Sequence, residues 1–256
     1  VADNGSTDGS LEELRELAKY NMIKLIENKE NLGFAKGYNP AVKIAKGEFI
    51  YLLNNDAYVF PDTIQTMVDV FSTDSKIAVV GTPAYDPKTK KRYYGVGGWI
   101  RRDNRYEQVD GWGKYWTDSD FGLITKPCKR CYSESVTRMG DNIICKHCGH
   151  NYSEDYIVDC EYIGFGNAMI RTKSWDSLSI GRMIPEEYFI YKEDVDCCLQ
   201  FKKEGHRVVH TNRRGVYHFV SMSTIKRDND KYWKIAFESH KRFVEKWGKE
   251  IDMGIV

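Results

Sequence analysis

The sequence predicts an α/β protein: a mostly parallel central sheet flanked by helices, with a small cysteine-bearing module inserted near the middle. Three observations carry that expectation. Short β-rich runs alternate with amphipathic helical stretches as far as Asp86. Two C-x-x-C pairs interrupt the alternation between Cys128 and Cys148. Regular patterning then resumes with "DYIVDCEYIGFGNAMIRTKSW" from Asp155.

Each element follows from local chemistry. Val1–Ala2 reads as the tail of a strand, and "DNGSTDGS" after it is turn chemistry, with Asn-Gly and Asp-Gly steps. The chain is therefore expected to start after a missing first strand and helix; a processed natural N-terminus is the alternative. Leu11–Tyr20 is helical, with acids early and apolar residues three and four apart. "MIKLIE" is a short strand. "NLGFAKGYNPAVKIAKG" begins with a glycine loop and continues as a helix, with Pro40 at its first position and Asn39 as its cap. Phe49–Leu53 is the next strand, "PDTIQTMVDVFS" a helix, and "KIAVVGTPAYD" another strand. Pro87–Asp120 is irregular and rich in Gly, Trp and Tyr. "EDVDCCLQFKKEG" is a helix with acids at its front and Gly205 at its end. "HRVVHT" and "GVYHFV" are short strands, and "YWKIAFESHKRFVEKWG" is an amphipathic helix.

The 256 residues, 41% hydrophobic, suffice for one sizeable domain with an insertion. Three parts are expected: residues 1–125, the module 126–150, and 151–256. A net charge of +1 argues against nucleic acid as the main partner. No apolar run approaches the roughly 18 residues of a membrane span.

Cys128, Cys131, Cys145 and Cys148 have the spacing of a four-thiolate zinc ribbon. Iron in a rubredoxin-like site and a disulfide pair are the alternatives. A closed tetrahedral shell leaves no position for substrate, so Zn²⁺ here is structural or organises an interaction surface. Cys197 and Cys198 read as packing residues. This cysteine usage suits a reducing, cytoplasmic compartment.

The strand Phe49–Leu53 ends in Asn54, Asn55 and Asp56. Ligands of parallel α/β sheets bind beyond the carboxyl ends of strands, and a hard cation takes oxygen ligands. A simple Asx turn is the alternative for this stretch taken alone. Likewise "EDVD" can be ordinary charge complementarity at a helix start. A lone histidine beside a strand is usually a packing residue, and "GFGNA" can be a plain strand turn.

Taken together and in order, "VADNGSTDGS", "NLGFAKGYN", "LLNNDA", "GFGNAMIRTKSW" and "YFIYKEDVDCCLQFKKEGHRV…VYH" resemble the family 2 glycosyltransferases of the GT-A fold, in particular rhamnosyl- and galactofuranosyl-transferase-like members. The resemblance implies a nucleotide pocket around Asp3, with Gly5 and Ser6 shaping its turn. It also implies contacts from Asn31, Gly33 and Asn39, and backbone support for the donor sugar at Gly164 and Gly166. Asp56 falls on the D-x-D metal motif, with Asn54 where the family has its first acid and Asn55 as a neighbouring contact. His218 matches a histidine that helps hold Mg²⁺ or Mn²⁺. Asp194 matches the general base, which the helix N-terminus is expected to keep ionised at low pKa. Glu193 orients it or touches the acceptor, and Asp196 does no more than favour the helix start.

The implied reaction is an inverting transfer of sugar from a nucleoside-diphosphate sugar to a glycan or lipid-linked acceptor in polysaccharide biosynthesis. Peripheral association with the inner face of a membrane is compatible with it. Trp99, Trp112 and Trp116 either stack on acceptor sugars or plug a loop. A non-enzymatic alternative is a binding module whose ribbon, with Lys126, Lys129, Arg130 and Lys146 around it, contacts a protein or nucleic acid on a GT-A scaffold.

Overall fold

A computed structural model describes residues 1–90, 97–100, 117–118, 136–139, 142–145, 157–211, 213, 215–219 and 229–255. The chain opens with β1 (Ala2–Asn4), α1 (Ser10–Lys19), β2 (Ile26–Asn28), α2 (Phe34–Ile44), β3 (Phe49–Leu53), β4 (Ala57–Val59), α3 (Thr63–Thr73), β5 (Ile77–Gly81) and β6 (Ala84–Tyr85). It continues through β7 (Gly97–Ile100), β8 (Thr117–Asp118), β9 (Val136–Met139) and β10 (Asn142–Cys145). The last part holds β11 (Ile157–Asp159), β12 (Tyr162–Ile163), β13 (Asn167–Arg171), α4 (Thr172–Asp176), α5 (Glu193–Lys203), β14 (Arg207–Thr211), β15 (Val216–His218) and α6 (Asn229–Asp252). Among the described residues no helix is long and apolar enough to cross a membrane.

The main sheet has five strands in the order β11-β14-β5-β13-β3. Side chains alternate across it with the two-residue period, except in β5, where a register shift against β14 between Ile77 and Val79 keeps Ile77 and Val80 on one face. Ile50, Leu52, Val79, Ala168, Ile170 and Val208 face one core, shared with α2, α5 and α6. Phe49, Tyr51, Ile77, Val80, Met169 and Val209 face the other, closed by α3 through Met67, Val70 and Phe71. Burying both faces explains the uninterrupted apolar run of β5, every residue of which is buried. Cys197 and Cys198 are packed into the first core, as their lack of a ligand pattern suggested.

Several local expectations are corrected. The sheet is not mostly parallel by neighbour: β3, β5 and β14 share a direction, but β13 inserts antiparallel between β3 and β5, and β11 pairs antiparallel with β14. β13 arrives after the long middle segment rather than through a βαβ crossover, so nothing imposes parallel pairing on it. Pro40 lies inside α2, and Asn39 does not cap it. The helix starts at Phe34 because the Phe189 carbonyl accepts the Phe34 N–H at 2.9 Å, satisfying one orphan donor of its first turn from a distant segment. The run after Lys76 divides at Thr82–Pro83 into β5 and β6, which belong to different sheets. Pro83 has no N–H for a ladder, and its carbonyl accepts from Val216 at 3.0 Å.

Candidate active site

The donor-side loop is organised by β1 and its neighbours. Asp3 is buried, and its Oδ2 accepts the N–H groups of Gly5 and Ser6, both at 3.0 Å. Burial raises the Asp3 pKa, but the bonds from Ser6 and Gly5 outweigh it and hold the carboxyl below its ordinary value. Gly5 has φ +79, and a Cβ there would meet the Glu30 Cα at 2.8 Å. Beside Asp3, Asn4 is the residue that sequence reasoning missed. Its Nδ2 donates to Asn31 Oδ1 and the Gly33 carbonyl, both at 3.0 Å, and its Oδ1 accepts from the Leu32 N–H at 3.1 Å. It looked like one more polar residue in a turn, since its partners lie almost thirty positions away.

Asn31 and Gly33 therefore shape this loop. Asn39 faces elsewhere: its amide donates to the Ile184 carbonyl at 2.9 Å and Glu186 at 2.7 Å, and accepts from the Ile184 N–H at 2.8 Å. The expected nucleotide contact is replaced by a clamp between α2 and the 184–190 segment, because the helix begins early and turns Asn39 toward that segment.

The carboxyl end of β3 carries the second group. The Asn54 N–H donates to the Gly166 carbonyl at 3.0 Å, and Ala57 N–H closes a turn on the Asn54 carbonyl at 3.2 Å. The chain then enters β4, where Ala57 pairs with His218 of β15. That register sets Asp56 beside His218, with Oδ1 and Nε2 2.9 Å apart. Asn54 Nδ2 lies 3.5 Å from the same imidazole nitrogen. Tyr38 of α2 donates its hydroxyl to the Leu53 carbonyl at 3.3 Å, and burial with the nearby Asp56 charge pushes its pKa up to about 12. Asn55 is exposed in the turn.

Asp56 Oδ1 and His218 Nε2, at hydrogen-bonding distance, are an oxygen and a nitrogen of kinds that can ligate a divalent ion. Among the described residues there is no group of three or more His, Cys, Asp or Glu ligands, so oxygens of a diphosphate would have to complete the shell.

The third group is the entry to α5. Tyr191 and Lys192 both adopt left-handed backbone, φ +65 and +75, which is uncommon for non-glycine residues and concentrates at functional sites. Asp194 accepts the N–H of Val195 at 2.8 Å, and the backbone of Phe165 lies close enough to favour its ionised form. Its pKa is raised, not low: burial outweighs the Val195 and Phe165 amides and the Lys192 charge. Burial, reinforced by Asp194, pushes Glu193 well above the ordinary carboxyl range. Glu193 Oε2 is buried with no hydrogen-bond partner among the described residues. Asp196 does more than favour a helix start. Fully buried, it accepts from Tyr188 at 2.6 Å and Gln200 at 2.7 Å and pairs with Lys246 of α6 at 2.7 Å.

The turn 164–166 joins the second and third groups. The Phe165 backbone approaches Asp194 closely enough to lower its pKa, while a Cβ on Gly166 would lie 2.9 Å from Asn54 Nδ2. The close approach that Gly166 permits is thus to Asn54. Gly164 closes the turn, its carbonyl accepting the Asn167 N–H at 3.3 Å.

Cys128, Cys131 and Cys148 lie outside the described residues, as do Trp112, Trp116 and the side chains of Cys145 and Trp99.

Residues 1–124 match the family model of glycosyl transferase family 2. A chondroitin synthase of Pasteurella multocida (strain Pm70) is 37% identical over 82 residues, 32% of this chain and 8% of that one. A chondroitin synthase of Escherichia coli is 34% identical over 83 residues, 32% of this chain and 12% of that one. The matched stretch is thus a small fraction of these relatives. The crystal structure of GalNAc-T7 with UDP, GalNAc and Mn²⁺ aligns over 97% of this chain and 50% of that one, with a TM-score of 0.52 at 13% identity. The likeness is one of fold. Residues 1–124 are thus similar in sequence to glycosyl transferase family 2, and the fold is of the GT-A type.

Proposed function

We propose that this chain is an inverting, metal-dependent glycosyltransferase that moves a sugar from a nucleoside-diphosphate donor to a glycan or lipid-linked acceptor. The observation that carries the reading is the 164–166 turn, which bonds to Asn54 of the Asn54–Asp56–His218 group and whose Phe165 backbone influences the ionisation of Asp194. A base and a cation-binding pair therefore flank one short stretch of backbone. The donor is held by the loops around Asp3, Asn4 and Gly33, in residues 1–125, and the acceptor by residues 151–256. GalNAc-T7, similar in fold, was crystallised with UDP and Mn²⁺, which is consistent with such a donor.

Asp56 and His218, as a neutral imidazole, would hold Mg²⁺ or Mn²⁺, which supplies positive charge against the departing diphosphate. Asp194 takes the proton of the acceptor hydroxyl as its oxygen bonds to the anomeric carbon and the bond to the diphosphate breaks. One displacement inverts that carbon. Burial favours Asp194 as a base, since a raised pKa lies closer to working pH. Cytoplasmic action at the inner face of a membrane belongs to the same proposal. So does structural Zn²⁺ on Cys128, Cys131, Cys145 and Cys148, supported by their spacing and by the β9–β10 hairpin between the pairs.

The test is a thermal-shift panel of nucleoside diphosphates and sugar nucleotides, with and without Mn²⁺, followed by turnover of the stabilising donor. Stabilisation tracks affinity and concentration. We expect one nucleotide to raise the midpoint, more so with Mn²⁺, and Asp194→Asn to bind it while losing on the order of 10²–10⁴ in turnover. A flat panel refutes the reading.

A further inference from the structure

We propose that the aromatic face of the small sheet β4-β15-β6, with the basic turn that follows β6, is a docking surface for an anionic lipid membrane. The inference rests, for its purpose, on the reading of a lipid-linked acceptor, and it goes beyond that reading in assigning the surface of this chain that meets the bilayer.

Strand register builds the face. Tyr58 of β4 lies opposite Tyr217 of β15, which lies opposite Tyr85 of β6, so three tyrosines form one row across the sheet. Phe60 thickens the row: its ring centre is 4.9 Å from that of Tyr217 and 5.8 Å from that of Tyr85. Phe219 stands edge-on to Tyr58 at 5.8 Å. β4 is an outer strand of this sheet, and its Tyr58 is 64% exposed. Rings gathered at a surface in this way mark an interaction site, where a single exposed ring would not. The alternate residues point to the opposite face, where Val216 and Ala84 are buried and His218 meets Asp56. Tyr217 and His218 therefore leave β15 in opposite directions, and the candidate metal pair lies one strand layer from the aromatic row.

Positive charge accompanies the rings. β6 runs into a turn closed on Asp86, whose Oδ1 accepts the N–H groups of Lys88 at 2.8 Å and Thr89 at 2.6 Å. The Asp86 carbonyl accepts the Lys90 N–H at 2.9 Å. Lys88 and Lys90 are exposed on this turn, and the Lys90 ammonium lies 4.2 Å from the centre of the Tyr217 ring. The sequence continues with Lys91 and Arg92. Four basic residues in five positions stand out in a chain whose net charge is only +1.

This combination selects the partner. A row of rings on short strands offers a surface, whereas small ligands are bound in concave sites. Tyrosine joins an apolar ring to a polar tip, which suits the headgroup level of a bilayer. Clustered lysines attract anionic headgroups. A protein partner is the poorer match, since lysine is depleted at protein–protein interfaces.

The test is flotation of the full chain with phosphatidylcholine vesicles, with and without phosphatidylglycerol. Wild type should float with the anionic vesicles only, and less so as salt rises. A basic residue near an anionic surface contributes about fivefold, so the double variant Lys88→Glu, Lys90→Glu should bind more than tenfold more weakly. Tyr58→Ser should weaken binding at unchanged charge, because less apolar area enters the interface. Both variants should keep the wild-type thermal midpoint. If Tyr58→Ser does not fold, Tyr58→Thr replaces it with the same expectation. A wild-type chain that stays off anionic vesicles overturns the proposal, as do variants that bind like wild type. Self-association of wild type that Tyr58→Ser abolishes, without vesicle binding, assigns the face to a second copy and also overturns it. Flotation uses no turnover: transfer without vesicle binding refutes this surface alone, and vesicle binding with a flat nucleotide panel refutes the transferase reading alone.

Discussion

Replacing Gly33 by alanine should cost about 2–4 kcal/mol of folding stability. Gly33 has φ +82 and ψ −174, a region essentially reserved for glycine, and a side chain there carries a penalty of order 1–3 kcal/mol. The added Cβ would also stand 2.4 Å from the Phe189 carbonyl oxygen and 2.9 Å from its ring. Backbone cannot rotate away as a side-chain end can, so the 184–190 segment must retreat. The Phe34 N–H to Phe189 carbonyl bond of 2.9 Å is then lost, for about 1 kcal/mol. The loop cannot yield instead, because Asn4 holds the Gly33 carbonyl at 3.0 Å and Asn31 holds its N–H at 3.0 Å. Gly181 provides the comparison: φ is +68, but a Cβ there meets nothing within 4 Å. Alanine at Gly181 should cost only the backbone term, about 1 kcal/mol. Urea unfolding of both variants, with m values compared to wild type, measures the difference. If the two alanine variants fall within about 0.5 kcal/mol of each other, the contact with Phe189 does not hold the loop and the argument fails.

Other consequences concern charge. Asp196→Ala should cost about 3–5 kcal/mol, because it leaves Tyr188, Gln200 and Lys246 without their shared buried acceptor; hydrogen exchange in α6 should rise with it. Glu193 has a raised folded pKa, so its contribution is present below about pH 4.5 and is lost as pH rises through the folded value. Glu193→Gln, which cannot ionise, should therefore match wild type in thermal midpoint at pH 4 and exceed it at pH 8. Asp3 behaves in the opposite sense: its folded pKa is depressed, so its contribution is present above about pH 4 and is lost on acidification. Asp3→Asn should flatten the acid side of the stability profile, and an unchanged profile would show that the Gly5 and Ser6 bonds carry no charge-dependent energy.

How much was legible depended on the range of the interactions involved. The strand Phe49–Leu53 and the helix from Glu193 have the expected bounds because their hydrophobic period and end residues are local. Asp56, His218 and Asp194 were named from motif order, and their neighbours in space were not. The pairing of Ala57 with His218 spans most of the chain, and only strand register brings Asp56 to that imidazole. Asn4 and Tyr38 escape notice because a turn amide and a helical tyrosine are ordinary in sequence. Their importance comes from burial and from partners supplied by distant elements.

Local order along the chain was thus set by the sequence alone: alternating elements, two cysteine pairs, glycines at Gly5 and Gly33, and acids at the head of a helix. Tertiary structure decided where β13 inserts, where α2 begins, and whether Asp194 is held at high or low pKa. The physical reason is that period and turn chemistry act within a few residues, whereas desolvation and cross-strand register depend on which remote segments close over a side chain. Helix polarity alone favours an ionised Asp194 of low pKa; burial under neighbouring elements reverses the sign of the shift.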